Sequence, residues 1–257
     1  MKIALCQFHR KWEDKVYNLE TAKRYIKEAK LQKCQLILFP EMSFTGFSMV
    51  IEKTCDKFDE TIKEISLLAS RFNISIGFGW VGMGKKKAQN HYGIINERGE
   101  MISDYVKIHP FSYSDENQYF ESGEKLSVFP LHEFIVSTFI CYDLRFPEIF
   151  QAVSKQAELI IVAANWPKKR GEHWKKLLVA RAVENQSYIA AVNCVGEENG
   201  IFYSGDSCVI NPDGKIMGKI SGEEGLLMIE LPKNTEKFRA EFPVKRDRKV
   251  EFYKKIL

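Results

Sequence analysis

The sequence predicts an α/β protein built of two similar halves, their sheets packed face to face and their helices outside. Short apolar runs closed by turn residues alternate with segments of helical periodicity. The order strand, helix, strand, helix, then three strands occurs once before about residue 134 and again after it. With 257 residues, 45% of them hydrophobic, the chain has the material for a substantial core, and we read a single domain over residues 1–257.

Residues 3–8 read as the first strand. A helix follows over 16–31, where Leu19, Ala22, Tyr25, Ile26 and Ala29 fall at helical spacing. Residues 36–39 form a short apolar strand that Pro40 ends. A second helix over 61–72 places Ile62, Ile65, Leu68 and Ala69 on one face. Strands over 74–80, 91–96 and 101–107 complete this half, with the turn Asn96-Glu97-Arg98-Gly99 between the last two. The second half repeats the order: strand 134–140, helix 147–156, strand 159–164, helix 171–185 and strand 188–193. Strands 208–210 and 215–220 then flank the turn Pro212-Asp213-Gly214. Between the halves, residues 108–123 are polar and aromatic without clean periodicity, as in a long surface connection that carries function. The tail, 232–257, has little core character and is expected to frame the active site or a partner subunit.

Several functional classes are excluded. The net charge of +4 is small for this length, and no Lys/Arg run is interleaved with aromatics as a nucleic-acid groove requires. No apolar run reaches a membrane span, and the first residues lack the pattern of a signal peptide. The six cysteines are dispersed and never form C-x-x-C, so neither a disulfide framework nor a zinc knuckle is expected, and a reducing cytoplasm is the natural compartment. The five histidines are equally scattered, and we expect no metal.

The chemistry-bearing candidates sit at strand ends. Cys141 falls where the apolar strand stops and a polar segment begins, with Pro147 at a plausible helix start, a strand-to-helix elbow able to hold a nucleophile proud of a sheet. A cysteine nucleophile needs a proton acceptor, and no histidine obviously meets Cys141. Glu41, just past strand 36–39, is an acid at a carboxyl strand end. Lys107 closes the strand 101–107, where a cation would stabilise a thiolate or a developing oxyanion. Each residue alone has an ordinary explanation: a buried small thiol, a loop acid, one lysine among many. Their joint occurrence with the surrounding text is what singles them out.

That text, Leu38-Phe39-Pro40-Glu41-Met42, Tyr105-Val106-Lys107-Ile108-His109 and Ile140-Cys141-Tyr142-Asp143-Leu144-Arg145-Phe146-Pro147-Glu148, resembles the three ordered signatures of the nitrilase (carbon-nitrogen hydrolase) superfamily. The resemblance spans essentially the whole chain. Through Ala164-Asn165-Trp166-Pro167, Ala180-Arg181-Ala182-Val183-Glu184-Asn185-Gln186 and Gly205-Asp206-Ser207 it is greatest to the omega-amidase-like branch. It implies a four-layer αββα sandwich, a homodimer or larger assembly, no cofactor, and a Glu-Lys-Cys triad: Glu41 as general base, Lys107 as oxyanion-stabilising cation, Cys141 as nucleophile. Glu116 matches a second glutamate that positions lysine and substrate, and the Tyr142 N–H is the implied backbone oxyanion donor. The implied reaction hydrolyses a small amide through a thioester, with water as co-substrate.

Tyrosine and aspartate after Cys141, where true nitrilases commonly carry tryptophan and glutamate, favour amides over nitriles. The omega-amidase branch implies monoamides of small dicarboxylic acids such as 2-oxoglutaramate, whose far carboxylate wants a cation. Arg145 is one candidate, with a structural ion pair to Glu148 or another acid as the alternative. Asn165 and Trp166, in the second-half position equivalent to the Glu41 loop, are expected to line the pocket. Phe44 and Tyr203 are further candidates, each also readable as plain core. The competing functions are a related amidase acting on deaminated glutathione or an N-carbamoyl compound, and a catalytically silent metabolite-binding protein. An ammonia-supplying domain fused to a synthetase is not expected, the sequence ending at Leu257.

Overall fold

The computed structural model describes residues 1–256. The first half runs β1 (Lys2–Gln7), α1 (Lys15–Leu31), β2 (Leu36–Leu38), the single turn α2 (Ile51–Thr54), α3 (Glu60–Phe72), β3 (Ser75–Met83), β4 (Ala88–Ile95) and β5 (Met101–Val106). The turn α4 (Glu116–Tyr119) lies in the connection. The second half runs β6 (Val128–Leu131), β7 (Phe134–Ile140), α5 (Pro147–Val153), β8 (Leu159–Ala164), α6 (Gly171–Asn185), β9 (Tyr188–Asn193), β10 (Val195–Glu198), β11 (Ile201–Ile210) and β12 (Ile216–Ser221). Then come β13 (Gly225–Glu230), α7 (Thr235–Glu241) and α8 (Val250–Ile256).

Two sheets form, ordered β13-β1-β2-β3-β4-β5 and β10-β11-β9-β8-β7-β6, with β12 paired to β11. Each has a parallel centre, β1-β2-β3 and β7-β8-β9, flanked by antiparallel strands. The alternation of side chains along a strand explains the layering. Ile3, Leu5, Leu36 and Leu38 enter the core shared with Val136, Ile160 and Val162 of the second sheet. Ala4, Cys6, Ile37 and Phe39 point the other way, onto Ala22, Ile26 and Ala29 of α1 and Ile65, Leu68 and Ala69 of α3. Phe150 of α5 and Leu178 and Ala182 of α6 cover the second sheet. The result is the four-layer αββα sandwich, in which each fully buried Leu or Ile contributes about 1.5–3 kcal/mol.

Helix ends follow local chemistry. Asp14 caps α1 by accepting the Tyr17 N–H at 3.1 Å, and Asn73 ends α3 in the left-handed region, φ 49°. Of the four expected helices, α1, α3 and α6 lie within one residue of the expected ranges and α5 stops at Val153, three residues before Gln156; the short α2, α4, α7 and α8 were not expected.

The strand count departs from the expectation. β6 contains Pro130, tolerable because β6 is an edge strand. β10 and the first residues of β11 form a hairpin too polar to show an apolar run. β13 does not extend the second sheet: it returns to the first and pairs antiparallel with β1, Lys2 opposite Glu230 through Gln7 opposite Gly225. The tail forms α7 and α8 and lies across α5 and the end of α6, where Arg239 donates to the Ala157 carbonyl at 2.8 Å and Arg248 to Gln151 at 2.7 Å. Among the described residues, none from 232 onward lines the cavity described next.

Candidate active site

Both parallel centres present their carboxyl ends to one cavity of about 910 Å³, whose walls include Lys107, Cys141, Tyr142, Arg145, Trp166 and Tyr203. Residues leaving β2, β5, β7 and β8 therefore meet.

Glu41 follows β2 on a tight turn in which Met42 is left-handed, φ 44°. Gly79 of β3 allows that turn to dock. A Cβ there would lie 2.3 Å from the Met42 nitrogen, whereas the glycine N–H donates to Ser43 Oγ at 2.7 Å and its carbonyl accepts the Ser43 N–H at 3.0 Å. Lys107 is pinned by backbone bonds to Asn90, 2.9 Å, and from Gly123, 2.8 Å. Gly123 is again required by close approach, since a Cβ would lie 2.2 Å from the Val106 carbonyl.

The charged groups form one buried cluster. Lys107 Nζ donates to Glu41 Oε1 at 2.8 Å and to Glu116 Oε1 and Oε2 at 3.1 and 2.9 Å. Asn90 Nδ2 bridges the same two carboxylates, 2.8 Å to Glu41 and 3.0 Å to Glu116. Glu41 Oε2 accepts the Asn165 N–H at 3.0 Å. Burial alone would depress the Lys107 ammonium, but Glu116 and Glu41 outweigh it and hold it above its ordinary value. Burial, with the Glu41 charge adding, pushes the Glu116 carboxyl up against the pull of Lys107.

Cys141 follows β7 in the left-handed region, φ 44°, and opens a tight 3-10 turn through Arg145. A non-glycine residue held there is strained, as at the nucleophile elbow of serine hydrolases. Its Sγ–H donates to the Asn165 carbonyl at 3.8 Å, so Asn165 touches both the sulfur and Glu41. Burial and the Glu41 charge push the Cys141 thiol well above its ordinary value, with Lys107 opposing. Burial and Glu41 thus favour the thiol over the thiolate. Tyr142 lies in the first turn, where N–H groups have no partner within the helix.

The elbow is fastened by Asp143, fully buried, whose role the sequence reading missed. Its Oδ2 accepts from Tyr105 OH at 2.8 Å and Ile140 N–H at 3.1 Å, and its Oδ1 from His109 N–H at 3.0 Å and His109 Nδ1 at 2.8 Å. One carboxylate thus ties the cysteine strand to the segment carrying Lys107. A second missed group is Arg10, just past β1. It forks onto Glu198 at 2.9 and 2.8 Å, both side chains fully buried, and donates to the Glu41 and Met42 carbonyls at 2.7 and 3.0 Å and to Asn165 Oδ1 at 2.5 Å. Arg10 and Glu198 stand 188 positions apart, and their text carries no periodic or motif signal that pairs them. Asn90 was equally invisible, its pattern being that of any strand residue.

The expected substrate-contacting residues divide. Trp166 and Tyr203 line the cavity, and Asn193 grips the Trp166 backbone on both sides, at 2.8 and 3.0 Å. Asn165 also lines it, but its side-chain amide is engaged by Arg10 and by the Glu41 carbonyl, so it serves as scaffold. Arg145 faces the cavity with its guanidinium 4.7 Å from the Trp166 ring centre and 3.3 Å from His173 Nδ1. Among the described residues no carboxylate lies within 4.0 Å of it, so the alternative ion pair with Glu148 is absent. Phe44 is a correction. It points away from the cavity into the layer between the first sheet and its helices, 6.0 Å from Phe39 and 6.4 Å from Phe78, because the turn after Glu41 carries alternate residues to opposite sides. Phe47 lines the cavity instead, with Lys107 Nζ 5.4 Å above its ring. No group of three or more His, Cys, Asp or Glu side chains among the described residues is arranged to hold a metal ion.

Comparison with known proteins decides the family, since the carbon-nitrogen hydrolase family model matches residues 2–240. The chain belongs to the carbon-nitrogen hydrolase family. It is 30% identical to the 2-oxoglutaramate amidase of Bacillus subtilis, covering 98% of each chain, and 32% identical to the omega-amidase YafV of Escherichia coli K12, covering 93% of this chain and 95% of that one. Among solved structures, a CN-hydrolase superfamily protein of Xanthomonas campestris with an arsenic adduct in its active site superposes with a TM-score of 0.91 at 28% identity, over 96% of this chain and 97% of that one. An amidase of Nesterenkonia sp. AN1, caught with acrylamide added at its active-site cysteine, superposes with a TM-score of 0.89 at 27% identity over 100% of both chains. This carbon-nitrogen hydrolase therefore has the nitrilase-superfamily fold and enzyme class expected from its motifs, a hydrolase acting on amides.

Proposed function

We propose that Cys141, Glu41 and Lys107 hydrolyse a small carboxylate-bearing amide to acid and ammonia through a thioester. The observation that carries this reading is the fully buried Glu41–Lys107–Glu116 cluster at the floor of a cavity that also exposes Cys141. Burying three ionisable groups together costs several kcal/mol for each charge that is not mutually satisfied, an arrangement that packing alone would not favour.

Because burial and the Glu41 charge disfavour the thiolate, attack calls for a base at that moment. Glu41 accepts the Cys141 proton as sulfur adds to the amide carbonyl. Lys107 Nζ and the Tyr142 N–H receive the oxyanion. Glu41 and Glu116 both hold the ammonium at rest, and neutralising Glu41 weakens its hold on Lys107 as negative charge develops on the substrate oxygen. Glu116 keeps the ammonium in place. Glu41 returns its proton to the departing nitrogen, the C–N bond breaks, and ammonia leaves a thioester. Water, deprotonated by Glu41, then adds to the thioester; the C–S bond breaks, the acid departs and the thiol regains its proton.

The relatives named 2-oxoglutaramate amidase and omega-amidase support a monoamide of a short dicarboxylic acid, with Arg145 toward its far carboxylate and Trp166 and Tyr203 along its chain. The exposed Phe242, Phe252 and Ile256 of the tail support a homodimer formed through α5, α6 and the tail, and the dispersed free cysteines support a reducing cytoplasm. Ammonia release from 2-oxoglutaramate, glutamine and a small aliphatic amide tests the proposal, with Cys141→Ala alongside. Keto-amide turnover lost in the variant supports both mechanism and substrate class. Turnover of another amide alone discards the substrate class, and equal release from both proteins discards Cys141 as nucleophile.

A further inference from the structure

The cavity floor is electrostatically closed, but its rim carries four cations, Arg145, Lys168, Lys169 and Arg170, with no carboxylate within 4.0 Å among the described residues, and two of them are guanidinium groups held on aromatic faces. Arg145 stacks 4.7 Å from the Trp166 ring centre and 5.9 Å from that of Tyr142. Arg170 lies 5.2 Å from the Phe111 centre and 5.8 Å from that of Tyr113. The two stacks are joined. Trp166 Nε1 donates to the Arg170 carbonyl at 2.8 Å, and Tyr142 packs on Phe111 with ring centres 4.8 Å apart. Among the described residues neither guanidinium has a carboxylate within 4.0 Å, whereas Arg10 and Arg181 each do. Arg145 is part-buried, and its burial and the nearby Arg170 both hold it below its ordinary value.

Two guanidinium groups held near one another by aromatic faces, both lining the cavity that contains Cys141, repel unless an anion lies between them. We propose that Arg170, with Arg145, forms a paired cation site for the far carboxylate of the substrate, so that Arg170 determines specificity for amides ending in a carboxylate. The assignment rests on the amidase reading for which end of the ligand meets Cys141, but the charge selectivity of the rim does not depend on turnover. The acidic floor orients the ligand: a carboxylate placed there would face Glu41 and Glu116, so the neutral amide takes the floor and the anion the rim.

The test compares glutaramate with glutaramide, which differ only in whether the far end is charged. Binding of each is measured by calorimetry to full-length protein carrying Cys141→Ala, with and without R170Q, after matching circular dichroism spectra. We expect R170Q to weaken glutaramate about 10- to 100-fold, the loss of a charge-assisted hydrogen bond, and to leave glutaramide unaffected. Unchanged glutaramate binding overturns the proposal. Equal weakening of both ligands also overturns it, because Arg170 would then only support the wall. Charge-selective binding without ammonia release from any amide by the Cys141 protein upholds the paired site and overturns the amidase reading.

Discussion

The floor and the rim of the cavity are built on opposite principles. On the floor every formal charge has a partner: Lys107 with Glu41 and Glu116, Arg10 with Glu198, and Asp143 with four donors. At the rim, Arg145 and Arg170 rest on aromatic faces, and Phe202 and Tyr113 are 60% and 81% exposed. A preorganised floor suits a reaction whose charges must be met without reorganisation. An unsatisfied rim suits recognition, because the ligand completes it. Substitutions on the floor should therefore alter turnover and stability, and those at the rim ligand choice.

The largest effect should come from Cys141→Ala, which removes the nucleophile while leaving the surrounding charges paired. Ammonia release should fall by about 10⁴-fold or more with the unfolding midpoint nearly unchanged. Lys107→Met tests whether the floor is a single unit. Turnover should drop about 10²- to 10³-fold, and urea denaturation should show a loss of about 3–5 kcal/mol, because Glu41 and Glu116 are left buried without their cation. Full stability in this variant would contradict a charge-locked floor. Asp143→Asn places an amide N–H against groups that now donate to Asp143, and should cost about 1–3 kcal/mol. Its slower Cys141 alkylation in still-folded protein would mark a displaced elbow.

The pH dependence sharpens the same contrast. The Cys141 thiol stands above its ordinary value through burial and Glu41, so its alkylation rate in the free protein should keep rising past about pH 9.5, about one unit above the pKa of an ordinary thiol, where that thiol has levelled off. Glu41→Gln removes the second cause and should shift the alkylation profile toward lower pH; an unmoved profile would mean that the carboxylate does not act on the sulfur. The smallest effect belongs to the rim. Tyr113→Ala removes an exposed face under Arg170 and should raise KM about two- to five-fold, with stability changed by less than about 0.5 kcal/mol.

The sequence by itself determined the repeated α/β order, the helices α1, α3 and α6 to within one residue, and the candidacy of Glu41, Lys107, Cys141 and Glu116. These were legible because each depends on local pattern: apolar spacing, a turn at a strand end, a short ordered motif. Only the tertiary structure decided the rest. Asn165 reaches Glu41 across 124 positions, Arg10 reaches Glu198 across 188, and β13 crosses the chain to pair with β1. Phe44 went to the core and Phe47 to the cavity because a left-handed residue at Met42 redirects the turn, a backbone choice that side-chain pattern does not encode. Long-range partners are selected by which strand ends the two packed sheets bring together. That geometry belongs to the sandwich as a whole.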